Sequence, residues 1–185
     1  MHKDCTRKAH LIIGGCGTGK STVMDLMAKT EMPYVAESDS CRYPLLDRAL
    51  RKAKDKGDWD THHALWYPCV TSAFLTLARL SQDDPDNWQR CFFADHTGEF
   101  VFYSGLLDWI ESVTYIHCPP AVAEARWIAR GSDPDRVSCV QPLLHATKLA
   151  YERFQQSGIR CMAIDTHDYT PNRVWDEVWA FTILQ

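Results

Sequence analysis

The sequence predicts a three-layer α/β/α domain in which helices cover both faces of a five-stranded parallel sheet. Two observations support this fold class. Five short apolar runs alternate with longer amphipathic segments along the 185 residues, which is the pattern of a parallel sheet with helical crossovers. The first apolar run also leads into a glycine-rich loop, and such a loop between a strand and a helix is typical of anion-binding α/β domains.

Apolar spacing predicts the elements at the start of the chain. Residues 9–15 form a nearly unbroken apolar run, as expected of a strand that is buried on both faces. Apolar residues at helical spacing then predict a helix over 19–30. A second short apolar run, residues 34–37, predicts the second strand.

Two helices and a strand are predicted over the middle of the chain. Residues 41–56 have a helical pattern that ends in a charged run before Gly57. Residues 62–81 form a long helical pattern, with Pro68 either in its first turn or at a kink. The run RCFFAD, residues 90–95, predicts the third strand.

The second half of the chain continues the alternation of strands and helices. Pro119 and Pro120 indicate a helix start because proline is favoured in the first helical turn. Gly158 indicates a helix end. The predicted strands of this half cover residues 112–118 and 159–165. Its predicted helices cover residues 99–110, 119–130, 142–157 and 171–183.

The composition is that of an ordinary globular domain, and one domain over residues 1–185 is expected. The formal net charge of −4 disfavours broad electrostatic binding to nucleic acid, although a local basic groove remains compatible with it. No apolar run approaches the roughly 20 residues of a membrane span, and the first ten residues are too polar for a signal peptide. We therefore expect a cytoplasmic protein with no membrane partner.

The eight cysteines are scattered and include no C-x-x-C pair. This spacing favours reduced thiols that serve as small apolar side chains over a disulfide framework. The pairs at residues 62–63 and 117–118 lack the second ligand pair that a zinc site needs, so packing or solvated roles are favoured for them.

The glycine-rich loop carries the strongest chemical signal. Residues 14–21, GGCGTGKS, match G-x-x-x-x-G-K-[ST], the Walker A motif. Glycines let successive backbone N–H groups point at phosphate oxygens, and the positive end of the following helix points the same way. Lys20 is expected to reach the β- and γ-phosphates and Ser21 to ligate Mg²⁺. The predicted ATP-binding residues are Gly14, Gly15, Cys16, Gly17, Thr18, Gly19, Lys20, Ser21 and Thr22.

Residues 95–98, DHTG, also match the D-x-x-G pattern that switch GTPases place near the γ-phosphate. A switch of that kind needs a later N/T-K-x-D segment, but Thr147 and Lys148 form the only T-K pair and lack the aspartate. A long helical stretch separates Ser21 from Asp95, more than a compact switch region uses. We therefore interpret Asp95 as a strand-end carboxylate of a phosphotransferase.

Residues 113–136, VTYIHCPPAVAEARWIARGSDPDR, resemble the strand, helix and arginine-containing lid of P-loop nucleoside and nucleoside-monophosphate kinases, including deoxynucleoside and thymidylate kinases. Residues 33–42 and 150–165 are similar to the second-strand segment and the final helix and strand of that group. The resemblance implies a P-loop NTPase fold, a lid over about residues 126–141, and a loop around adenine at residues 165–169. One departure is His96 after Asp95, where the group usually has arginine.

The arginines of the lid segment are expected to be catalytic. Phosphoryl transfer builds charge on the equatorial oxygens, and a planar guanidinium binds such oxygens in a fork. Arg126 and Arg130 are four residues apart and share a helix face, while Arg136 follows in the loop. The alternative is a solvated helix face.

Three carboxylates follow predicted strands and are expected at the ligand-binding edge of the sheet. We assign Glu37 as the base that accepts the proton of an attacking hydroxyl, and Asp95 to the metal together with Ser21. Asp39 is assigned to the acceptor, with a helix cap as its alternative.

Aromatic residues near the second strand and on the long helix fall on segments that cover the acceptor in the resembling kinases. Stacking of a base between rings is the functional interpretation, and core packing is the alternative. The predicted acceptor-binding residues are Asp39, Arg42, Tyr43, Trp66, Tyr67 and His96.

The sequence therefore predicts an ATP- and Mg²⁺-dependent kinase that transfers the γ-phosphate to a nucleoside, a nucleotide or a related hydroxyl or phosphate acceptor. One alternative is a kinase acting on a nucleic-acid hydroxyl, such as a 5-hydroxymethyl base in phage DNA. A second alternative is a nucleotide-binding switch. The sequence leaves a homodimer open.

Overall fold

The computed structural model describes residues 9–30, 34–41, 44–83, 91–132 and 134–183. Five strands form one parallel sheet in the order β2-β3-β1-β4-β5. The strands are β1 (Ala9–Ile13), β2 (Val35–Glu37), β3 (Cys91–Asp95), β4 (Ile110–His117) and β5 (Arg160–Asp165). The predicted five-stranded parallel sheet is confirmed.

Helices connect the strands on both sides of the sheet, which confirms the predicted three-layer fold. The helices are α1 (Lys20–Lys29), α2 (Pro44–Asp55), α3 (Trp59–Asp83), α4 (Phe100–Tyr103), α5 (Pro120–Ala129), α6 (Val140–Gln156) and α7 (Pro171–Ile183). Short 3₁₀ turns cover Ser38–Cys41, Leu107–Trp109 and Pro134–Cys139.

The strand register brings the ends of β1, β2 and β3 to one edge of the sheet. Ile13, the last residue of β1, is in register with Asp95 of β3 and with Tyr115 of β4. Glu37, the last residue of β2, pairs with Ala94. Ligands of open α/β folds bind at this edge, where the strand order reverses.

Both faces of the sheet pack against apolar clusters, which explains the nearly unbroken apolar run of β1. Leu11 and Ile13 belong to the cluster packed under α3, α4 and α6, whereas Ile12 belongs to the cluster packed under α1 and α7. Large members of the first cluster are Phe74, Phe93, Phe100 and Phe154. Members of the second include Val23, Met27, Phe92 and Val178.

Helix α5 contributes to a third cluster, with the start of α6 and the segment after β4. Its buried members are Cys118, Ala123, Val140 and Leu144, and the half-buried Cys16 and Trp127 pack against them. Because Cys16 lies in the loop after β1, this cluster places α5 directly beside the glycine-rich loop.

The prediction of one helix over 99–110 is wrong. Helix α4 has only four residues, and Gly105 follows it with a φ of 65°. This left-handed conformation ends the helix. The chain then turns inward, burying Leu106 in the core cluster, and β4 begins at Ile110.

Helix α3 is longer than predicted, and Pro68 lies in its interior. The proline occupies an exposed position, as does Ala64 four residues earlier. Water can therefore satisfy the Ala64 carbonyl that proline leaves without an N–H partner. Within the described residues, no helix has both the length and the apolar character of a membrane span.

Gly98 is expected to tolerate alanine poorly. It has a φ of 71°, and a Cβ atom there would lie 2.8 Å from Leu11 Cδ2 and 3.1 Å from atoms of Ile13 and Phe154. The left-handed backbone costs an L-residue roughly 1–2 kcal/mol, and overpacking adds about 1–3 kcal/mol. Gly98→Ala should therefore lower the free energy of unfolding by about 2–5 kcal/mol in urea titrations.

Gly158→Ala is the matched control. Gly158 has a φ of 75° with no atom within 4 Å of a built Cβ, so only the backbone cost of roughly 1–2 kcal/mol is expected. Equal losses in the two variants would contradict the packing assigned to Gly98.

Candidate active site

The loop after β1 has the shape that a phosphate site requires. Gly17 and Gly19 have φ values of 76° and 99°, and α1 begins directly after Gly19. The Thr18 hydroxyl donates to the Gly15 carbonyl across the turn at 2.9 Å. Successive N–H groups in such a turn, together with a helix N-terminus, form an anion-binding concavity.

Close packing explains why two of the loop positions, 14 and 17, are glycine. A Cβ on Gly14 would lie 2.6 Å from the Thr18 Oγ1, and one on Gly17 would lie 2.3 Å from the Ala123 carbonyl oxygen of α5. A Cβ on Gly19 would meet no atom within 4 Å. The loop is therefore packed closely against α5 at Gly17, whereas position 19 needs glycine for its positive φ. The backbone N–H groups of the loop form the cradle that bound phosphates would fill.

Lys20, Ser21 and Thr22 form the first turn of α1. Lys20 is 9% exposed, while Ser21 and Thr22 are exposed. The Ser21 hydroxyl donates to the Glu37 Oε2 at 3.2 Å. A hydroxyl is one of the hard oxygen ligands that Mg²⁺ prefers, so Ser21 fits the predicted metal.

Asp95 is buried, with 6% exposure, and shapes the turn after β3. Its Oδ2 accepts hydrogen bonds from the backbone N–H of Gly98 at 2.7 Å and of Thr97 at 3.3 Å. The structure thus brings Glu37 into contact with Ser21. One carboxylate oxygen of Asp95 is already hydrogen-bonded to the backbone of its own turn. The roles of both carboxylates in catalysis remain predictions.

The DHTG segment is held from two sides. The His96 carbonyl accepts a hydrogen bond from the Gly14 N–H at 3.1 Å. The Thr147 hydroxyl of α6 lies 3.1 Å from the same carbonyl and donates at 2.7 Å to the Leu143 carbonyl. Gly98 lies against the core. These contacts favour a rigid strand end over a segment that orders and relaxes with the nucleotide state.

A cavity of about 510 Å³ opens beside this segment, between α2, α3 and the turn after β2. Its lining carries both signs of charge, and it includes three of the predicted acceptor residues, Asp39, Trp66 and His96. His96 Nε2 lies 3.5 Å from Asp39 Oδ2. The other lining residues are Asp47, Leu50, Arg51, Lys54, Asp55 and His62.

Tyr67 lies on another face of α3. Its hydroxyl donates to Glu99 Oε2 at 3.2 Å, and its ring stacks on His63 with centroids 5.0 Å apart. Burial raises the pKa of the Tyr67 hydroxyl, and the Glu99 carboxylate raises it further. Tyr67 therefore stays a proton donor to Glu99. Of the other predicted acceptor residues, Arg42 and Tyr43 lie outside the described residues.

The lid arginines have different surroundings. Both terminal nitrogens of Arg126 bond Thr166, at 3.0 Å to its hydroxyl and 2.8 Å to its carbonyl. Arg130 is exposed, stacks over the Trp127 ring at 4.4 Å and donates to the Ser132 hydroxyl at 2.8 Å. Arg136 lies in the 3₁₀ turn Pro134–Cys139. The lid as a functional unit remains a prediction.

Comparison with solved structures identifies the fold. A gluconokinase from Sinorhizobium meliloti 1021 superposes with a TM-score of 0.59 at 13% identity, over 95% of this chain and 91% of that chain. A deoxyadenosine kinase from M. mycoides with bound dATP gives 0.58 at 13% identity, over 92% and 97%. TT1252 from Thermus thermophilus gives 0.59 at 17% identity, over 94% and 96%.

The fold is a P-loop kinase fold. At these identities the likeness concerns the fold alone. No protein-family model matches the sequence, and no curated protein sequence matches it. Within this P-loop kinase fold, the residues of the site therefore have to be argued from their own geometry.

Several residues of the site carry no obvious signal in the sequence. The charges of α2 that line the cavity, Arg51 and Lys54 among them, follow a pattern that looks like a solvated helix face. Glu99 is hidden in a stretch predicted to be helical throughout. Of these residues, only Thr166 could have been predicted from the sequence, because it directly follows a predicted strand and therefore lies at the ligand-binding edge of the sheet.

Cys16 offers a test of nucleotide binding at the loop. Burial raises the pKa of its thiol, against the opposing effects of Lys20 and Arg130. The reactive thiolate is therefore scarce at neutral pH and increases only as the pH rises beyond the ordinary thiol range. Iodoacetamide should alkylate Cys16 slowly at pH 7 and faster at alkaline pH, measured by mass spectrometry of the tryptic peptides.

Cys161, which is half-buried near the start of β5, is the internal control. ATP should slow alkylation of Cys16 at least about fivefold, because bound phosphates cover the loop, and should leave Cys161 unaffected. Equal protection of both thiols, or none at Cys16, would contradict a nucleotide in the loop.

Proposed function

We propose that this protein is an ATP- and Mg²⁺-dependent phosphotransferase that acts in the cytoplasm. It transfers the γ-phosphate of ATP to a nucleoside, a nucleotide or a related small acceptor. Lys20, Ser21, Glu37 and Asp95 carry the donor side, and the cavity between α2 and α3 takes the acceptor.

His96 supplies the observation that carries this proposal. Its backbone carbonyl accepts the N–H of Gly14 at the start of the phosphate loop, while its side chain lines the cavity. A phosphate held by the loop and a molecule held in the cavity would therefore be neighbours. Direct transfer between two bound substrates needs this proximity, because positioning supplies much of the rate of phosphoryl transfer.

The donor side is built from charge and oriented backbone. Lys20 would neutralise charge on the β- and γ-phosphates, and the loop N–H groups would orient them. Mg²⁺, when bound at Ser21 with Glu37 beside it, would neutralise charge on the phosphate oxygens. Arg130 and Arg136 are proposed to approach the transferred group from the lid.

The acceptor side is built from carboxylates. Glu37 is half-buried at the end of β2 and in contact with Ser21, which supports a role for it between donor and acceptor. We assign Glu37 as the base that accepts the proton of the attacking hydroxyl. Asp95 holds the turn that positions His96 and would help to hold the metal through a bound water.

The cavity limits the size and chemistry of the acceptor. A volume of about 510 Å³ lies in the range of sites for small molecules. Arg51 forms an ion pair with Asp47 at 2.7 Å, and Asp39, Asp55 and Lys54 also line the cavity. Such a lining suits a molecule rich in hydroxyl groups with at most a small charge.

A nucleic-acid hydroxyl is a second candidate acceptor, and one surface favours it. An open depression on α2, next to the cavity, is lined by Arg48, Arg51, Lys52 and Lys56, with Asp47 and Asp55 as the acidic members. Basic side chains of this kind contact phosphate backbones. The experiment below includes this acceptor.

Incubation with γ-labelled ATP and separate acceptors tests the proposal. Deoxyadenosine, the four deoxynucleoside monophosphates, D-gluconate and a single-stranded oligonucleotide form the panel, since two structural neighbours are by name a deoxyadenosine kinase and a gluconokinase. We expect Mg²⁺-dependent labelling of one of them. ATP binding without labelling of any acceptor would leave the switch alternative in place.

Lys20→Met should lower the transfer rate at least about 100-fold, because the variant removes the charge on the phosphates. Methionine keeps the volume of the buried lysine stem. Lys29→Met, an exposed position at the far end of the same helix, should retain full activity. Full activity in a folded Lys20→Met protein would remove the phosphate-loop assignment.

Two isosteric variants separate the carboxylates. Glu37→Gln should lower kcat about 100-fold or more, as expected for loss of a general base, with little change in stability. Asp95→Asn should lower kcat about tenfold and also cost about 1 kcal/mol of stability, because a neutral acceptor replaces a charged one at the Gly98 N–H. Single-turnover experiments measure the rate of each variant, and urea titrations measure its stability. A larger loss of rate in Asp95→Asn than in Glu37→Gln would exchange the two roles.

A further inference from the structure

Thr166 holds the Arg126 side chain in the described structure. Its guanidinium nitrogens donate to the Thr166 hydroxyl at 3.0 Å and to the Thr166 carbonyl at 2.8 Å. Two hydrogen bonds of a planar fork to one residue define both the distance and the orientation of the group. This geometry differs from that of an arginine aimed at a transferred phosphate.

Thr166 continues the connection into the phosphate loop. It is 4% exposed and directly follows β5. Its hydroxyl lies 2.8 Å from the Thr18 carbonyl oxygen and 3.2 Å from the His117 carbonyl oxygen. Its backbone N–H donates to the same His117 carbonyl at 2.8 Å. Arg126 occupies an acceptor lone pair of the hydroxyl, which leaves the hydroxyl proton for a carbonyl, with Thr18 at the shorter distance.

The Thr18 carbonyl belongs to the same peptide group as the Gly19 N–H. Because this group is planar and trans, holding the carbonyl in one direction directs the N–H in the opposite direction. Gly19 is half-buried, and no atom lies within 4 Å of a Cβ built on it. Glycine has no side chain to restrict its φ, so an external hydrogen bond is needed to hold this peptide.

We propose that Arg126 is a positioning residue that acts through the Thr166 hydroxyl to hold the Thr18–Gly19 peptide with its N–H toward the nucleotide phosphates. This inference rests on the proposed binding of ATP at the loop. It links α5, the segment after β5 and the phosphate loop through one row of hydrogen bonds. Close contact of Gly17 with Ala123 of α5 supports the loop at the adjacent residue.

A positioning role and a direct catalytic role affect different kinetic constants. Arg126→Ala and Thr166→Val should each weaken ADP binding about tenfold in calorimetry and raise KM for ATP similarly, as expected for loss of one hydrogen bond to a charged ligand. The kcat should change less than about threefold. Thr166→Ser, which keeps the hydroxyl, should bind ADP like the natural protein.

Coupling between the two residues provides the decisive measurement. Because Arg126 acts through Thr166, the double variant should bind ADP no more weakly than Thr166→Val alone, within about twofold. Arg130→Ala, at the residue directly after the same helix, should instead combine additively with Thr166→Val. In ¹⁵N NMR spectra, ADP should shift the Gly19 amide resonance in the natural protein and in Thr166→Ser, and much less in Thr166→Val.

Three outcomes would overturn the inference. The first is a fall of kcat in Arg126→Ala with unchanged ADP binding, which would assign Arg126 to the transferred phosphate. The second is additivity of the Arg126 and Thr166 variants. The third is a natural protein that does not bind ADP, which would remove the phosphate-loop assignment as well. If ADP binds with the expected coupling but no acceptor is labelled, only the proposed transfer reaction fails.

If urea titrations show that Thr166→Val is unfolded, Arg126→Lys takes its place in the ADP-binding experiments. A lysine keeps the charge but cannot make both bonds of the guanidinium fork. ADP binding about as weak as in Arg126→Ala supports the inference, and binding equal to that of the natural protein contradicts it.

Discussion

The orientation of the backbone N–H groups in residues 14–19 is the constraint on which the rest of this site depends. Glycine-rich backbone has little preference of its own, so neighbouring segments must hold it. The His96 carbonyl accepts a hydrogen bond from the Gly14 N–H, and the Thr166 hydroxyl contacts the Thr18 carbonyl. Helix α5 packs against Gly17. The sheet and three connecting segments therefore converge on one short loop.

The same contacts explain how donor and acceptor regions come to share a boundary. His96 contributes its backbone to the loop and its side chain to the cavity, while Thr147 of α6 contacts its carbonyl from the other side. Glu37 makes a comparable link between β2 and α1 through Ser21. Charge at this edge is thus carried by rigid strand ends, which position reacting groups better than mobile loops do.

Most of the architecture could be predicted from the sequence because it depends on local periodicity and on a motif with strict chemical requirements. The strands were found from unbroken apolar runs, which β1 needs because Leu11 and Ile12 face different cores. The exception, residues 99–110, has helical spacing of apolar residues that is interrupted at Gly105. Spacing alone does not show where a chain must turn inward to reach the core.

The sequence by itself determined the sheet, the phosphate loop and the strand-end carboxylates, since these follow from side-chain period and from residue types that only one backbone geometry accommodates. Only the tertiary structure decided which of these groups meet. Ser21 reaches Glu37, and Arg126 reaches Thr166. Such pairings join residues far apart in the chain, and their distances depend on strand order and helix packing, which no local pattern encodes.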